Sequence, residues 1–359
     1  MNEPSRQPLV SAIIAACNEA PFIEEVLQSV INQRTDSFNL EVLVISNGST
    51  DDTPAIVHRL AQADPRIKAL RNATKSTPAA FNAGIRAAQG DYVCILGAHA
   101  FYPPEYISIC LQQLELQGTV GCSGKIITES AGGSRQSRLC AWATAHPFCS
   151  SGSSVRTQRE GFVDTIPFPV MRRAAVLEAG GYDEAMLRNQ DNDLNQRLRA
   201  RGHKLYLTEK VQASYYARST IREMWSWGFN CGRWNAISLW RNPASLRPRH
   251  LVPLGFVLAI ALLASITLIG RVSRTQVVGS IAAFVLLLTF GAHLLLGTIA
   301  GAQVAIREKA ICAIWLPLVI LGFHLAYGTG TLFGLFQRSL RRSKPSAEQQ
   351  QAVGETLCQ

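Results

Sequence analysis

The chain has 359 residues, 35 Lys+Arg against 25 Asp+Glu, with 47% hydrophobic and 17% charged residues, which excludes disorder along the whole chain and fits one large or two small domains. Its net charge of +10 is uneven: residues 1–187 hold 15 basic and 18 acidic side chains, residues 188–249 hold 12 and 4, and residues 250–359 hold 8 and 3. The basic excess begins where the hydrophobicity begins and no nucleic-acid recognition motif accompanies it, so a membrane surface is the expected partner and nucleic acid is not.

Segments 9–17, 40–45, 67–70 and 92–96 are short, apolar, rich in β-branched residues and bounded by polar turns, the signature of buried strands. Between them, Phe22, Val26, Leu27, Val30 and Ile31 recur at helical spacing, as do Ile56, Val57 and Leu60, and 77–88 is rich in alanine. The order β-α-β-α-β-α-β predicts an α/β fold with a mostly parallel sheet and helices on both faces. Ligands of such sheets sit at the carboxyl ends of the strands. That rule selects Asn18-Glu19 after the first strand, 46–53 (SNGSTDDT) after the second and 97–100 (GAHA) after the fourth. Segment 118–125 (GTVGCSGK) lacks P-loop spacing and reads as a strand with turns. Residues 130–162, rich in Ser, Gly and Arg, read as long loops over one face of the domain, available to shape an acceptor site. A helix is predicted to start near 189–191, with Leu194 and Leu198 on one face.

Segment 219–239 mixes Trp225, Trp227, Phe229 and Trp234 with Arg222 and Arg233 and predicts an interfacial helix lying on the membrane. Uncharged apolar runs at 251–270, 277–306 and 310–336 each reach the ~20 residues that cross a bilayer. The expected division is a cytosolic domain at 1–218, an amphipathic segment at 219–250, a membrane region at 251–336 with spans near 251–270, 277–300 and 311–336, and a basic then disordered tail at 337–359. The first ten residues carry no basic stretch followed by an apolar one, so no cleaved signal peptide is expected. Nine cysteines without a C-x-x-C pair or Cys/His cluster argue against a disulfide framework or structural zinc. Topology poses a conflict. Three spans after a cytosolic domain put the tail outside with Arg271 and Arg274, whereas Arg338, Arg341, Arg342 and Lys344 favour a cytosolic tail. Either that charge rule is overridden or one apolar run is re-entrant or interfacial. His293 and His324, inside spans, are expected to bond between helices.

In 46–53, a turn with a helix cap accounts for most of the Asn-Gly turn with its hydroxyls and carboxylates, and the functional reading is a base-and-ribose pocket. Several segments together resemble the family 2 inverting glycosyltransferases: Asn18-Glu19, Asn47-Gly48-Ser49-Thr50-Asp51, Ala80-Phe81-Asn82-Ala83-Gly84-Ile85, Gly90-Asp91, Gly181-Tyr182-Asp183-Glu184 and Gln190-Asp191. His99-Ala100, Val163-Asp164-Thr165, Arg172-Arg173, Gly232-Arg233-Trp234 and His324-Leu325-Ala326-Tyr327-Gly328 are similar to the succinoglycan-type exopolysaccharide branch. The resemblance implies a glycosyltransferase-A domain followed by a helical membrane region. It implies Asp191 as the catalytic base and Asn18, Glu19, Asn47, Gly48, Ser49 and Asn82 as the nucleotide-sugar site. It also implies His99 as ligand of a divalent metal, Mn²⁺ or Mg²⁺, and Gln190, Arg233 and Trp234 at the acceptor and diphosphate.

Three positions depart from the family pattern. Gly97 removes the first carboxylate of the metal motif, Ser46 replaces an Asp before the turn, and Gln190 replaces a Glu, which removes a negative charge beside Asp191 and lowers its pKa relative to the family pair. The expected function is transfer of a hexose, from UDP-glucose first among donors, to a lipid-linked saccharide in exopolysaccharide biosynthesis at a bacterial inner membrane. The alternatives are a polyprenyl-phosphate glycosyltransferase and a degenerate, non-catalytic partner in a membrane assembly. Donor sugar, linkage and oligomeric state stay open.

Overall fold

In the computed structural model of the protein the described residues are 7–72, 74–273 and 275–340; the tail expected to be disordered, 343–359, lies outside them. The alternating pattern at the start of the chain becomes β1 (Leu9–Ala16), α1 (Ile23–Ile31), β2 (Asn39–Ser46), α2 (Thr53–Ala63), β3 (Ile67–Arg71), α3 (Thr77–Ala87) and β4 (Tyr92–Leu96). Pro54 and Pro78 sit in the first turns of α2 and α3, where a missing N–H costs nothing. After β4 come β5 (Ala100–Phe101), α4 (Tyr106–Leu116) and β6 (Gly121–Glu129). Then follow α5 (Arg135–Ala145), α6 (Pro147–Ser150), β7 (Gly161–Phe162), β8 (Val170–Arg172), α7 (Arg173–Glu178), α8 (Gln190–Ala200) and β9 (Leu205–Tyr216).

Strands β1, β2, β3 and β4 pair in parallel in the order β3-β2-β1-β4, and the sheet continues through β8, β6, β9 and β5, with the β4–β8, β6–β8 and β5–β9 pairs antiparallel. Both faces of the sheet are covered. One packs Val10, Ile14, Val42 and Val44 against Ile23, Val26 and Leu27 of α1, Leu60 of α2 and Ile107 of α4. The other packs Ile13, Leu43 and Ile45 against Phe81 and Ile85 of α3, Val176 of α7 and Leu194 and Leu198 of α8. This two-sided burial is why these strands read as unbroken apolar runs.

Among the described residues that follow, the long elements are helices: α9 (Ile221–Arg241), α10 (Val252–Val272), α11 (Gln276–Glu308) and α12 (Leu316–Leu340). Three helical segments, Val252–Val272, Gln276–Glu308 and Ile311–Gln337, are long and apolar enough to cross a membrane. The second is longer than the expected 277–300, running on to Glu308 through Val304 and Ile306.

The described residues divide into two compact units, one of residues up to 127 with 158–215, the other of 128–157 with 216–340. The reading of 130–162 as loops over the first domain is therefore corrected. Residues 135–145 form α5, capped by the Ser134 hydroxyl, and Leu139, Cys140 and Ala143 pack with Cys149, Met224, Val304, Leu316, Ile320 and Phe323 inside the second unit. Ser, Gly and Arg surround a short apolar helical stripe whose partner lies more than 80 residues away, which local composition does not reveal. Within the same unit His293 Nε2 lies 2.9 Å from His324 Nδ1, so these histidines do bond between helices.

Candidate active site

The loops after β1 and β2 are tied to each other. Asn18, in the left-handed region at φ 56°, accepts the Thr50 N–H at 2.8 Å through Oδ1, and its own N–H donates to the Ser49 hydroxyl at 3.2 Å. The Glu19 N–H donates to Thr53 Oγ1 at 2.8 Å and the Ala20 N–H to Asp51 Oδ2 at 3.0 Å. Burial raises the Asp51 carboxyl, but the Thr53 hydroxyl and the Ala20 and Thr53 amides outweigh it and hold the group below its ordinary value. Asn47 is buried, its Oδ1 accepting from Asn72 Nδ2 at 2.8 Å. Gly48, at φ +81°, lies under the stem of Lys75, whose Cγ would be 2.7 Å from an added Cβ. Turn formation and capping thus account for much of 46–53, and they leave Gly48 and Ser49 half-buried at the strand end.

His99 lies between β4 and β5, its Nδ1 3.1 Å from Glu19 Oε1 and its ring 5.3 Å from that of Tyr215. Position 97 is closed to a side chain, since a Cβ there would lie 2.9 Å from the Phe168 ring. That ring is held edge-on by Tyr102, whose hydroxyl accepts the Gly97 N–H at 2.7 Å. Among the described residues no three His, Cys, Asp or Glu side chains gather into a metal cluster. The donors present at this strand end are one imidazole and one carboxylate, a set that fits an oxygen-preferring divalent ion such as Mn²⁺ when phosphate oxygens and water complete its shell.

A second network surrounds α8. Asn82 is buried on α3, its Oδ1 accepting the Tyr182 N–H at 2.8 Å while its Nδ2 donates to Tyr182 O at 2.9 Å and to Glu184 Oε1 at 3.0 Å. Gly181, at φ +66°, makes this approach possible, because a Cβ there would lie 2.5 Å from Asn82 Oδ1. From the other side Arg197, paired with Asp193 at 2.7 Å, donates to Gly181 O at 2.7 Å. The turn so clamped aims the Tyr182 hydroxyl at Asp191, to which it donates. Asp191 stands in the first turn of α8, after Asn189 in the left-handed conformation at φ 61°. Water reaches its side chain, yet protein crowds the carboxyl on its other sides, and that desolvation raises it to about 6 against the lowering by Tyr182. A carboxylate poised there takes a proton readily near neutral pH.

Residues 11–179 match the family described as Glycosyl transferase family 2. The succinoglycan biosynthesis protein ExoA of Rhizobium meliloti (strain 1021) is 30% identical over 249 residues, covering 68% of this chain and 74% of that protein. The chain belongs to glycosyltransferase family 2. A second relative of this glycosyltransferase is 26% identical over 340 residues, 91% of this chain and 97% of its own: the dolichyl N-acetyl-alpha-D-glucosaminyl phosphate 3-beta-D-2,3-diacetamido-2,3-dideoxy-beta-D-glucuronosyltransferase of Methanococcus voltae. Among solved structures, the mannosyltransferase PcManGT from Pyrobaculum calidifontis, in complex with GDP-Man and Mn²⁺, shares the fold with a TM-score of 0.55, 17% identity and coverage of 92% of this chain and 89% of that one. The fold is thus glycosyltransferase-A.

In this glycosyltransferase the predicted residues form two groups of the first unit. Asn18, Glu19, Ser49 and His99 are joined by the bonds between the first, second and fourth strand ends, and Asn82 reaches Asp191 through Tyr182. Arg233 and Trp234 belong to the second unit, where Arg233 Nε donates to Gln337 Oε1 at 2.9 Å and Trp234 is buried. Sequence reasoning met Tyr182 only within the 181–184 segment of the family resemblance, with no role, and did not single out Lys75 or Arg197. Lys75 follows the third strand, the one loop on that edge of the sheet that the strand-end rule was not applied to. For Asp191, burial sets the direction of its shift from the ordinary value.

Proposed function

We propose that this glycosyltransferase transfers a hexose with inversion from a nucleotide-diphospho-sugar, UDP-glucose first, to a lipid-linked saccharide in bacterial exopolysaccharide assembly at the cytosolic face of the inner membrane. The observation that carries the reading is Asp191: a carboxyl raised to about 6 by burial, open to water on one side, and held by a tyrosine hydroxyl. The acceptor hydroxyl attacks the anomeric carbon, Asp191 takes its proton, and the bond from that carbon to the diphosphate oxygen breaks with its electrons going to the departing nucleotide. Asn18, Glu19, Asn47, Gly48 and Ser49 frame the nucleotide. Asn82 acts at one remove, as the clamp that sets Tyr182. A divalent ion, held by His99 with Glu19 beside it, would supply positive charge against the diphosphate. Arg233, with Trp234 beside it, is assigned to the acceptor's lipid diphosphate, since a guanidinium gains by exchanging the neutral Gln337 amide for phosphate. The catalytic domain, expected at 1–218, is assigned to the unit of residues up to 127 with 158–215, and the membrane-facing part to the other unit. Support comes from the family membership and the exopolysaccharide relative.

The test is transfer of label from UDP-glucose into extractable lipid by membranes that hold the full chain, with Mn²⁺ or with chelator. Transfer is expected with the ion and is expected to fall sharply with chelator or in His99→Ala. No transfer from any nucleotide sugar tried would overturn the reading. Tyr182→Phe offers a finer check. It removes a hydrogen bond made to the charged form of Asp191, worth about 1.5–3 kcal/mol for such bonds. The acid limb of the pH–rate profile should move up by about one to two pH units while the rate well above it stays near wild type. An unmoved limb would separate Tyr182 from the base.

A further inference from the structure

The course of α12 bears on which apolar helices cross the bilayer. α9 and α12 run side by side in the same direction: Trp225 Nε1 donates to Val319 O at 3.1 Å, a Cβ on Gly232 would lie 1.9 Å from Tyr327 O, and Arg233 bonds Gln337. Backbones meet at Gly330, 2.0 Å from Phe229 O by the same measure, and at Gly334, 2.6 Å from Arg233 O. Contact this close along the helix means the two share one depth. α9 is not apolar. It carries Arg222, Glu223, Asn230, Arg233, Asn235 and Arg241, and one arginine at the centre of a span costs ~2.5–3.5 kcal/mol.

The other two candidates behave differently. α10 and α11 form a hairpin whose glycines touch at its tip, Gly270 against Gly279. α12 meets α10 near its start, where Gly328 abuts Pro253 and Val257, while Leu258, Leu262, Leu268 and Ile269 farther along α10 are exposed. The 21 residues of α10 reach about 31 Å, the thickness of the hydrocarbon. Charge agrees: between α10 and α11 the basic residues are Arg271 and, in sequence, Arg274, whereas Arg241, Arg247, Arg249, Arg307 and Lys309 lie at the hairpin's base, Arg338 lies in the last turn of α12, and Arg341, Arg342 and Lys344 come next in the sequence.

We infer that the membrane is crossed by the α10–α11 hairpin alone and that α12, paired with α9, lies on the anionic lipid surface, so the chain leaves the membrane on the side from which it entered. Exposed Trp225, Trp240, Phe333 and Phe336 with exposed Arg222 and Arg241 give this pair the apolar and cationic groups that such a surface takes. This resolves the tail conflict without overriding the charge rule, and it does not rest on the transferase reading.

The test places a disulfide-dependent phosphatase, active only in an oxidising compartment, after Ser273 or after Gln359 of the full chain, with a fluorescent protein that matures only in the cytosol at the same points. Opposite sides for the two positions are expected. The same side for both, as a third crossing requires, would overturn the inference. If the insertion after Ser273 unfolds the chain, single cysteines at Arg271 and Ser346, read as labelling by impermeant maleimide above the parent chain, decide it by the same criterion. Neither readout depends on sugar transfer.

Discussion

Asp191→Asn is expected to lower sugar transfer by about 10²- to 10⁴-fold, the range supplied by a positioned base, while nucleotide-sugar binding stays close to wild type. The amide keeps the shape of the carboxylate but cannot take the acceptor's proton. In the wild type, transfer should rise with pH through about 6 as the carboxyl ionises. Stability should move the other way. The folded-state pKa is raised above that of the unfolded chain, so the folded state binds the proton more tightly, and stability falls as pH rises from about 4 to 6. Asp191→Asn should therefore raise the thermal midpoint at pH 7–8 and lose that gain near pH 4. An active, unstabilised variant would remove Asp191 from its role.

Gly232→Leu should leave little folded protein in the membrane fraction. A Cβ at this position meets the Tyr327 carbonyl at 1.9 Å, and a backbone oxygen cannot rotate aside as a side chain can. Separating α9 from α12 would also strand Asn235, whose amide donates to the Tyr327 hydroxyl. The penalty should exceed the ~1–3 kcal/mol usual for overpacking. Gly255→Leu is the control, because Gly255 sits on α10 with nothing within 4 Å of an added Cβ. Detergent-solubilised thermal stability measures both. Equal stability would mean that the two helices do not pack at this position.

Features that were local were legible. The β-branched runs at 9–17, 40–45, 67–70 and 92–96 became β1 to β4, and the carboxylates and leucines of 190–200 became α8, because each carries its own period and punctuation. The strand-end rule found Asn18, Ser49 and His99 without knowledge of what joins them. What stayed hidden depends on distant partners. Asn82 read as a ligand residue, yet both ends of its amide bond the 182–184 turn, 100 residues away. The absence of a carboxylate at Gly97 read as a loss, whereas the Phe168 ring fills that space. Residues 135–150 read as loop because their burial is supplied by helices from the far end of the chain.

The bonds that lace Asn18 and the amides of Glu19 and Ala20 to Ser49, Thr50, Asp51 and Thr53 have a consequence for how this enzyme can change over time. Seven positions on two segments share one set of donors and acceptors, so none can drift alone. A substitution at Thr50 alters what is tolerated at Asn18, and their combined effect should differ from the sum of the separate ones. Inheritance at this edge of the sheet is by block, and a new donor preference would have to arise from paired changes or from neighbours outside the lacing.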